Sequence, residues 1–87
     1  MSTIYVNKYN SYKYNIDVDN KSLGFRLQDA RIDKRLKQRE VAEKIGVHQA
    51  TLSTYEHNVA KPSIDVLIKL AKLYDVSLDY LCGLKDY

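Results

Sequence analysis

Residues 38–57 (QREVAEKIGVHQATLSTYEH) constrain the fold more than any other part of the chain, because their apolar spacing fits two short helices joined by a tight turn. Val41 and Ile45 are one helical turn apart and share a helix face. Leu52 and Tyr55 share a face on a second helix in the same way. The two apolar stripes can therefore bury each other.

Gly46 lies between the two stripes and favours a sharp turn there. Glycine takes the left-handed backbone conformation at little steric cost, and a helix C-terminus that leads into a short turn requires this conformation. Ala42 is small at a position where the two helices must approach each other closely. The spacing of these residues predicts a helix-turn-helix unit.

Length and composition indicate one small domain. The chain has 87 residues, of which 45% are hydrophobic, so it can bury one modest core. It contains no apolar run long enough to cross a bilayer, and its first residues (MSTIYVNKYN) lack the pattern of a secretory signal. Cys82 is the single cysteine, which excludes an internal disulfide, and its apolar neighbours predict a core residue. We expect a soluble, cytoplasmic protein that does not contact a membrane.

The residue types that support catalysis or metal binding are scarce. His48 and His57 are the two histidines, Cys82 stands alone, and the chain has no glycine-rich loop. These residues offer neither a metal site nor a nucleophile with its base. We therefore expect no cofactor, no metal and no enzymatic activity.

Basic residues are concentrated at the start of the helix-turn-helix unit, although the net charge of the chain is only +3. Within nine residues there are five cations and one acid, Asp33. The cations are Arg31, Lys34, Arg35, Lys37 and Arg39. Such a cluster is either a solvated helix end that complements the helix dipole or a surface for phosphate groups. Its position beside a helix-turn-helix unit favours phosphate contact.

Residues 1–21 differ in composition from the rest of the chain and form an N-terminal extension. They contain four tyrosines and four asparagines but no leucine or alanine, which disfavours a helix. Apolar and polar residues alternate on both sides of Asn10 and Ser11, where a turn would give a β-hairpin. An isolated hairpin is marginal in water, so the alternative is a flexible arm, unless the segment packs on the helices or on another subunit.

Three further helices are predicted around the helix-turn-helix unit, which gives an all-α fold of five helices. The first ends near residue 34 or 35, the fourth covers about residues 64–74, and Gly83 stops a short fifth. Asn58 is predicted to cap the third helix, because asparagine tolerates positive φ. The N-caps of the first, fourth and fifth helices are predicted at Ser22, Ser63 and Ser77. The core-facing stripe of the fourth helix is predicted as Ile64, Leu67, Ile68, Ala71 and Tyr74.

From Leu23 to Gly83 the sequence resembles the Cro/repressor family of helix-turn-helix proteins, also called XRE-like. The stretches QREVAEKIGVHQATLSTYE and KPSIDVLIKLAKLYDVSLDYL carry the resemblance. The resemblance implies a five-helix domain that binds an inverted-repeat operator in double-stranded DNA, usually as a homodimer, and regulates transcription as a repressor. Two residues depart from the family pattern. Arg35 stands where glycine is common, and Lys37 stands where a serine or threonine cap is common, so both add positive charge before the second helix.

The third helix, from about Gln49 to His57, matches the recognition helix of the family, which lies in the major groove. The amide of Gln49 can donate to and accept from adenine, and the methyl group of Ala50 can touch a thymine methyl. Ser53 and Thr54 lie one turn further along the same exposed face. We predict these four as base-reading residues. The alternative for Ala50, Ser53 and Thr54 is an ordinary helix surface.

Phosphate contacts are predicted around the same helix, because helix N-termini and nearby cations both attract anions. The predicted phosphate-binding residues are Lys37, Gln38, Arg39, His48, Asn58 and Lys61. The resemblance also implies an ion pair between Arg31 and Glu56 that fixes the angle of the recognition helix, the alternative being two separate surface charges. The candidate dimer-interface residues are Leu78, Leu81, Leu84 and Tyr87, with ordinary core packing as their alternative.

The sequence therefore predicts three segments and two candidate functions. The segments are the extension (1–21), the DNA-binding domain (22–84) and a C-terminal tail (85–87). The first function is sequence-specific DNA binding by a transcriptional regulator. The alternative is an antitoxin or phage-type switch protein whose main role is to bind a protein partner, with the extension as the candidate contact.

Overall fold

The computed structural model describes residues 22–86, which form five helices and contain no strand. The helices are α1 (Leu23–Asp33), α2 (Gln38–Ile45), α3 (Gln49–Glu56), α4 (Ile64–Tyr74) and α5 (Leu78–Leu81). The all-α, five-helix prediction is confirmed. The hairpin predicted for residues 1–21 and the interface candidate Tyr87 lie outside the described residues.

The serine N-caps that the sequence predicts are present. The hydroxyl groups of Ser22, Ser63 and Ser77 each accept a hydrogen bond from the backbone N–H three residues further on, at 2.9 to 3.2 Å. Each bond satisfies an N–H group that has no partner inside its helix. These caps fix the residues at which α1, α4 and α5 begin.

The core forms where all five helices meet. Helix α1 packs on α3, α4 and α5, and α2 packs on α3 and α4. The largest fully buried side chains are Tyr74, Leu27, Leu52, Leu70, Leu81 and Val41. Val41, Ile45 and Leu52 of the two predicted apolar stripes are buried, and Tyr55 is half-buried against them, so the helix-turn-helix unit is part of the core.

Two residues that the sequence places in the core are exposed. Ile64 is 62% exposed, because it starts α4 on the solvent side, and Leu70 is buried on that helix instead. Cys82 is exposed, because α5 ends at Leu81 and the chain turns away from the core after it. Leu81 occupies the buried position at this end of the domain.

The beginning of α1 passes very close to the end of α3. A Cβ atom on Gly24 would overlap the carbonyl oxygen of Glu56, so only glycine fits there. The backbone N–H of Gly24 donates to Asn58 Oδ1 at 3.0 Å, and Asn58 Nδ2 donates to Ser22 Oγ at 2.8 Å. Asn58, predicted to cap α3, takes the left-handed conformation one residue after His57 and ties α3 to α1.

Candidate nucleic-acid interface

A buried carboxylate connects the first three helices. Glu56, the last residue of α3, is 5% exposed and accepts two hydrogen bonds from the guanidinium of Arg31, from Nε at 2.7 Å and from Nη2 at 3.1 Å. Its Oε1 also accepts from Gln38 Nε2, on the first residue of α2, at 3.0 Å. The hydrogen bond with Glu56 raises the pKa of Arg31 above its ordinary value, and burial opposes that rise. The ion pair is thus formed and joins α1, α2 and α3 at one point.

An open groove lies between the N-termini of α2 and α3. It is lined by Lys37, Gln38, Arg39, Glu40 and Gln49. Lys37, Arg39 and Gln49 are exposed. The fold therefore brings three predicted phosphate-binding residues and the first predicted base-reading residue into one groove.

Glu40 is a residue of this groove that the sequence analysis missed. Its Oε1 accepts a hydrogen bond from the backbone N–H of Lys37 at 2.8 Å. A lysine side chain cannot accept the hydrogen bond that a serine or threonine cap would accept, so Glu40 supplies the side-chain cap of α2 from the third helical position. An acid three residues after the N-cap, as in a capping box, is the signal that predicts this contact.

The exposed face of α3 is not uniform. Gln49 and Ala50 are exposed, whereas Ser53 and Thr54 are half-buried. Thr54 Oγ1 donates to the carbonyl oxygen of Thr51 at 2.6 Å, and Ser53 Oγ lies 3.3 Å from His57 Nδ1. The first turn of α3 therefore offers the side chains most available to a ligand.

The other predicted phosphate-binding residues lie at the two ends of α3. His48 is the N-cap of α3, is exposed and forms no side-chain capping bond, so its ring leaves the N-terminus of the helix open. Lys61 is exposed in the segment after α3. Asn58 is exposed too, but both polar atoms of its side chain are engaged with the start of α1.

The candidate dimer-interface residues differ in their exposure to solvent. Leu84 is 70% exposed and Leu78 is half-buried. Leu81 has no exposed surface, so the core-packing alternative applies to it. The burial of Leu81 follows from its place at the centre of the helix junction, a position that helical spacing alone does not distinguish from its neighbours.

Two further properties of residues 22–86 bear on function. In this range no three His, Cys, Asp or Glu residues lie close enough together to hold a metal ion. The helices of this range are each too short or too polar to cross a membrane.

Comparison with known proteins identifies the family. The helix-turn-helix family model matches residues 27–81. The HTH-type transcriptional regulator ImmR of Bacillus subtilis is 47% identical over 62 residues, which cover 71% of this chain and 49% of ImmR. The chain spans about half the length of the curated relatives it matches.

Solved structures share the fold. The crystal structure of SinR, the master regulator for biofilm formation, in complex with DNA matches with a TM-score of 0.63 and 38% identity, over 68% of this chain and 95% of that chain. SinR in a complex with SinI matches equally well, over 58% of that chain. The P22 c2 repressor in complex with a synthetic operator matches with a TM-score of 0.71 and 24% identity, over 76% of this chain and 100% of that chain, and supports the fold alone. The chain therefore belongs to the Cro/repressor-type (XRE-like) helix-turn-helix family.

Proposed function

We propose that the chain binds double-stranded DNA in a sequence-specific way and regulates transcription as a repressor. The groove between α2 and α3 carries the proposal, because it combines the cations Lys37 and Arg39 with the exposed amide of Gln49. Cations that neutralise phosphates supply affinity, and side chains at the start of a recognition helix reach base edges. The relative SinR, which is 38% identical over the matched region, is solved in complex with DNA.

Base reading belongs to the first turn of α3. Gln49 reads adenine through its amide, and Ala50 contacts a thymine methyl group. Ser53 and Thr54 support them from the next turn, mainly through Thr54 Cγ2, because its hydroxyl proton is already bonded to Thr51. Specificity then depends on few direct hydrogen bonds, so DNA shape contributes to it.

Phosphate contacts surround this base-reading turn. Lys37, Arg39 and Lys61 supply charge, and His48 supplies a ring nitrogen at the open N-terminus of α3. Gln38 uses its side chain to hold Glu56, so its contribution is the free backbone N–H at the start of α2. Asn58 donates one Nδ2 hydrogen to Ser22 and can donate the other to a phosphate oxygen.

A homodimer on an inverted-repeat operator completes the proposal. One recognition helix reads only a few base pairs, and a two-fold partner places the second helix about 34 Å further along the duplex. Leu84 and Leu78 are the described interface candidates. We place the DNA-binding domain at residues 22–84, with residues 1–21 as the contact for a protein partner, and the protein acts without catalysis in the cytoplasm.

Binding of a protein partner remains a second candidate function, because several large apolar side chains are exposed. They are Phe25, Ile32, Val59, Ile64 and Leu84, at 44 to 76% exposure. Exposed apolar groups of this kind suit protein contacts when they form a patch. The relative SinR is also solved with SinI.

Titration of the full chain into random-sequence duplexes at several salt concentrations separates the two functions. For a DNA-binding protein, the logarithm of the association constant falls linearly with the logarithm of the salt concentration, with a slope of about −0.9 for each phosphate contacted. No binding, or binding that does not depend on salt, refutes the DNA-binding proposal and favours the partner function. Selection of bound sequences from the same pool then tests the dimer, because a palindrome is expected.

A further inference from the structure

All five helices of the described range end in the same backbone motif. In each, the N–H of a residue just beyond the end of the helix donates to the carbonyl oxygen five residues earlier, at 2.7 to 3.2 Å. This arrangement is the Schellman motif, and it requires a left-handed residue just before that donor. The five left-handed residues have φ between 56 and 81° and are Arg35, Gly46, Asn58, Asp75 and Gly83.

Arg35 is the exception among these five residues. Glycine has no Cβ, and asparagine and aspartate are the side chains that tolerate this conformation best. In every residue that has a Cβ, the left-handed conformation brings this atom close to the following carbonyl oxygen, and arginine lacks the short polar side chain that offsets the cost in asparagine and aspartate. The hydrogen bonds of the motif involve only backbone atoms, so they give no reason for an arginine. What distinguishes arginine from glycine at this position is therefore its side chain.

The guanidinium of Arg35 has no assigned role within residues 22–86. The side chain is exposed, and ion pairs in this range join Arg31 to Glu56 and Lys85 to Asp79. Lys34 and Lys37, on either side of it in sequence, are also exposed. Three exposed cations within four residues outnumber the one neighbouring acid, Asp33, and raise the local positive potential, which attracts an anion.

The loop that carries Arg35 is held in a fixed position relative to α3. Arg35 N donates to the carbonyl of Ile32 at 2.9 Å, and Arg31 Nη1 donates to the carbonyl of Leu36 at 2.9 Å. The same guanidinium of Arg31 binds Glu56 at the end of α3. Arg35 therefore lies in a loop that is connected through Arg31 to the end of α3, two residues before the groove residue Lys37.

We infer that Arg35 binds a phosphate of the DNA backbone beside the bases that α3 reads. The inference rests on the proposed function and adds a phosphate-binding residue to it. A guanidinium presents paired N–H donors that match phosphate oxygens, which a lysine cannot reproduce. Strained backbone conformations are concentrated at functional sites, and here the strain is tolerated because the side chain contributes to binding.

Four full-length variants test this inference against a labelled random-sequence duplex. Arg35→Gly removes the side chain and the strain together, and Arg35→Lys keeps the charge but loses the paired donors. Lys72→Gln removes one charge from the exposed side of α4 and serves as the charge control. Asp75→Gly relieves a left-handed residue away from the groove and serves as the backbone control.

Arg35→Gly is expected to weaken DNA binding roughly tenfold at fixed salt and to reduce the salt slope by about 0.9, equally for all sequences. It is also expected to raise the midpoint of thermal unfolding by about 4 °C, because the strain is lost. Arg35→Lys should keep the salt slope and lose part of the affinity. Lys72→Gln should leave affinity within about twofold and Asp75→Gly should raise the midpoint without weakening binding.

Several results would overturn the inference. If the wild-type chain binds with the expected salt dependence and Arg35→Gly binds equally well, Arg35 is not a phosphate contact, although the proposed function stands. If Lys72→Gln loses as much affinity, the effect is one of net charge alone. A loss confined to one selected sequence would make Arg35 a base reader, and a lower unfolding midpoint for Arg35→Gly would remove the argument from strain. Failure of the wild-type chain to bind at all refutes the proposed function instead.

Discussion

The ion pair between Arg31 and Glu56 gives the sharpest test of how this domain positions α3. The side chain of Glu56 is 0% exposed and that of Arg31 is 12% exposed, so both charges are largely removed from water. Glu56→Leu would leave the guanidinium half-buried without its carboxylate, and Arg31→Met would leave the carboxylate without its cation. The double variant replaces both charges with apolar groups of similar size.

The expected changes in stability follow from the difference between removing one partner of a buried ion pair and removing both. Removal of one partner costs about 3–5 kcal/mol, because an uncompensated charge remains in a poorly solvated place. Replacement of both partners is close to neutral, because neither desolvated charge remains. We therefore expect the free energy of unfolding to fall by about 3 kcal/mol in each single variant and by less than about 1 kcal/mol in the double variant. These values correspond to a coupling energy near 5 kcal/mol between the two residues.

Urea denaturation of the four proteins measures the stability cycle, and DNA titration of the double variant measures the role of the pair in recognition. The double variant should fold and still bind DNA more weakly than the wild-type chain, because the angle of α3 is no longer fixed. Single variants that each lose less than about 1 kcal/mol would refute the argument from burial. Wild-type DNA affinity in the double variant would refute the positioning role.

Three further predictions concern single side chains. The hydroxyl of Tyr74 is buried and has no hydrogen-bond partner among the described residues, so Tyr74→Phe should raise the free energy of unfolding by about 1 kcal/mol in urea denaturation. Burial raises the pKa of Tyr74, so above about pH 10 the folded state keeps a proton that the unfolded state loses. The free energy of unfolding of the wild-type chain should therefore fall by an extra ~1.4 kcal/mol per pH unit in that range, and that of Tyr74→Phe should not. A loss of stability at neutral pH would show that the hydroxyl is paired. Gly24→Ala should destabilise the domain by about 1–3 kcal/mol in thermal unfolding, because the new Cβ collides with the end of α3; a stabilised variant would contradict the close approach. Gln49→Ala should leave stability unchanged, weaken binding to a selected site by about 1–3 kcal/mol in gel-shift titration, and leave binding to random duplexes unaffected. An equal loss of affinity for both kinds of duplex would make Gln49 a phosphate contact.

The helices could be predicted from the sequence where apolar spacing agreed with capping chemistry. In α2 the apolar residues Val41 and Ile45 define one face, and Gly46 marks the end of the helix. In α4 every residue after Asp65 is apolar except two lysines, so spacing does not select one face, and the core position predicted for Ile64 is wrong. Packing against the other helices decides which side is buried, and a single sequence does not contain that information.

The candidate site could be predicted from the sequence, but its internal hydrogen bonds could not. The cations before α2 and the start of α3 are neighbours in sequence, so their common surface follows from the helix-turn-helix unit. The bond from Gln38 to Glu56 joins residues 18 positions apart and depends on side-chain conformation. The left-handed conformation of Arg35 does not follow from the residue itself, because arginine has no preference for it, and the glycine common at this position in the family is its only signal in the sequence.

Glu56 determines where Gln49 lies, because the two residues are at opposite ends of one short helix. Helix α3 has 8 residues, so the first and last lie about 10 Å apart along its axis. If the contacts of Glu56 with Arg31 and Gln38 were lost and α3 tilted by about 10°, the start of the helix would move by nearly 2 Å. A hydrogen bond from an amide to a base tolerates only a few tenths of an ångström, so a displacement of that size would break it. The charged network at one end of α3 and Gln49, the proposed base-reading residue at the other end, are therefore coupled through the helix, although they are well separated in space.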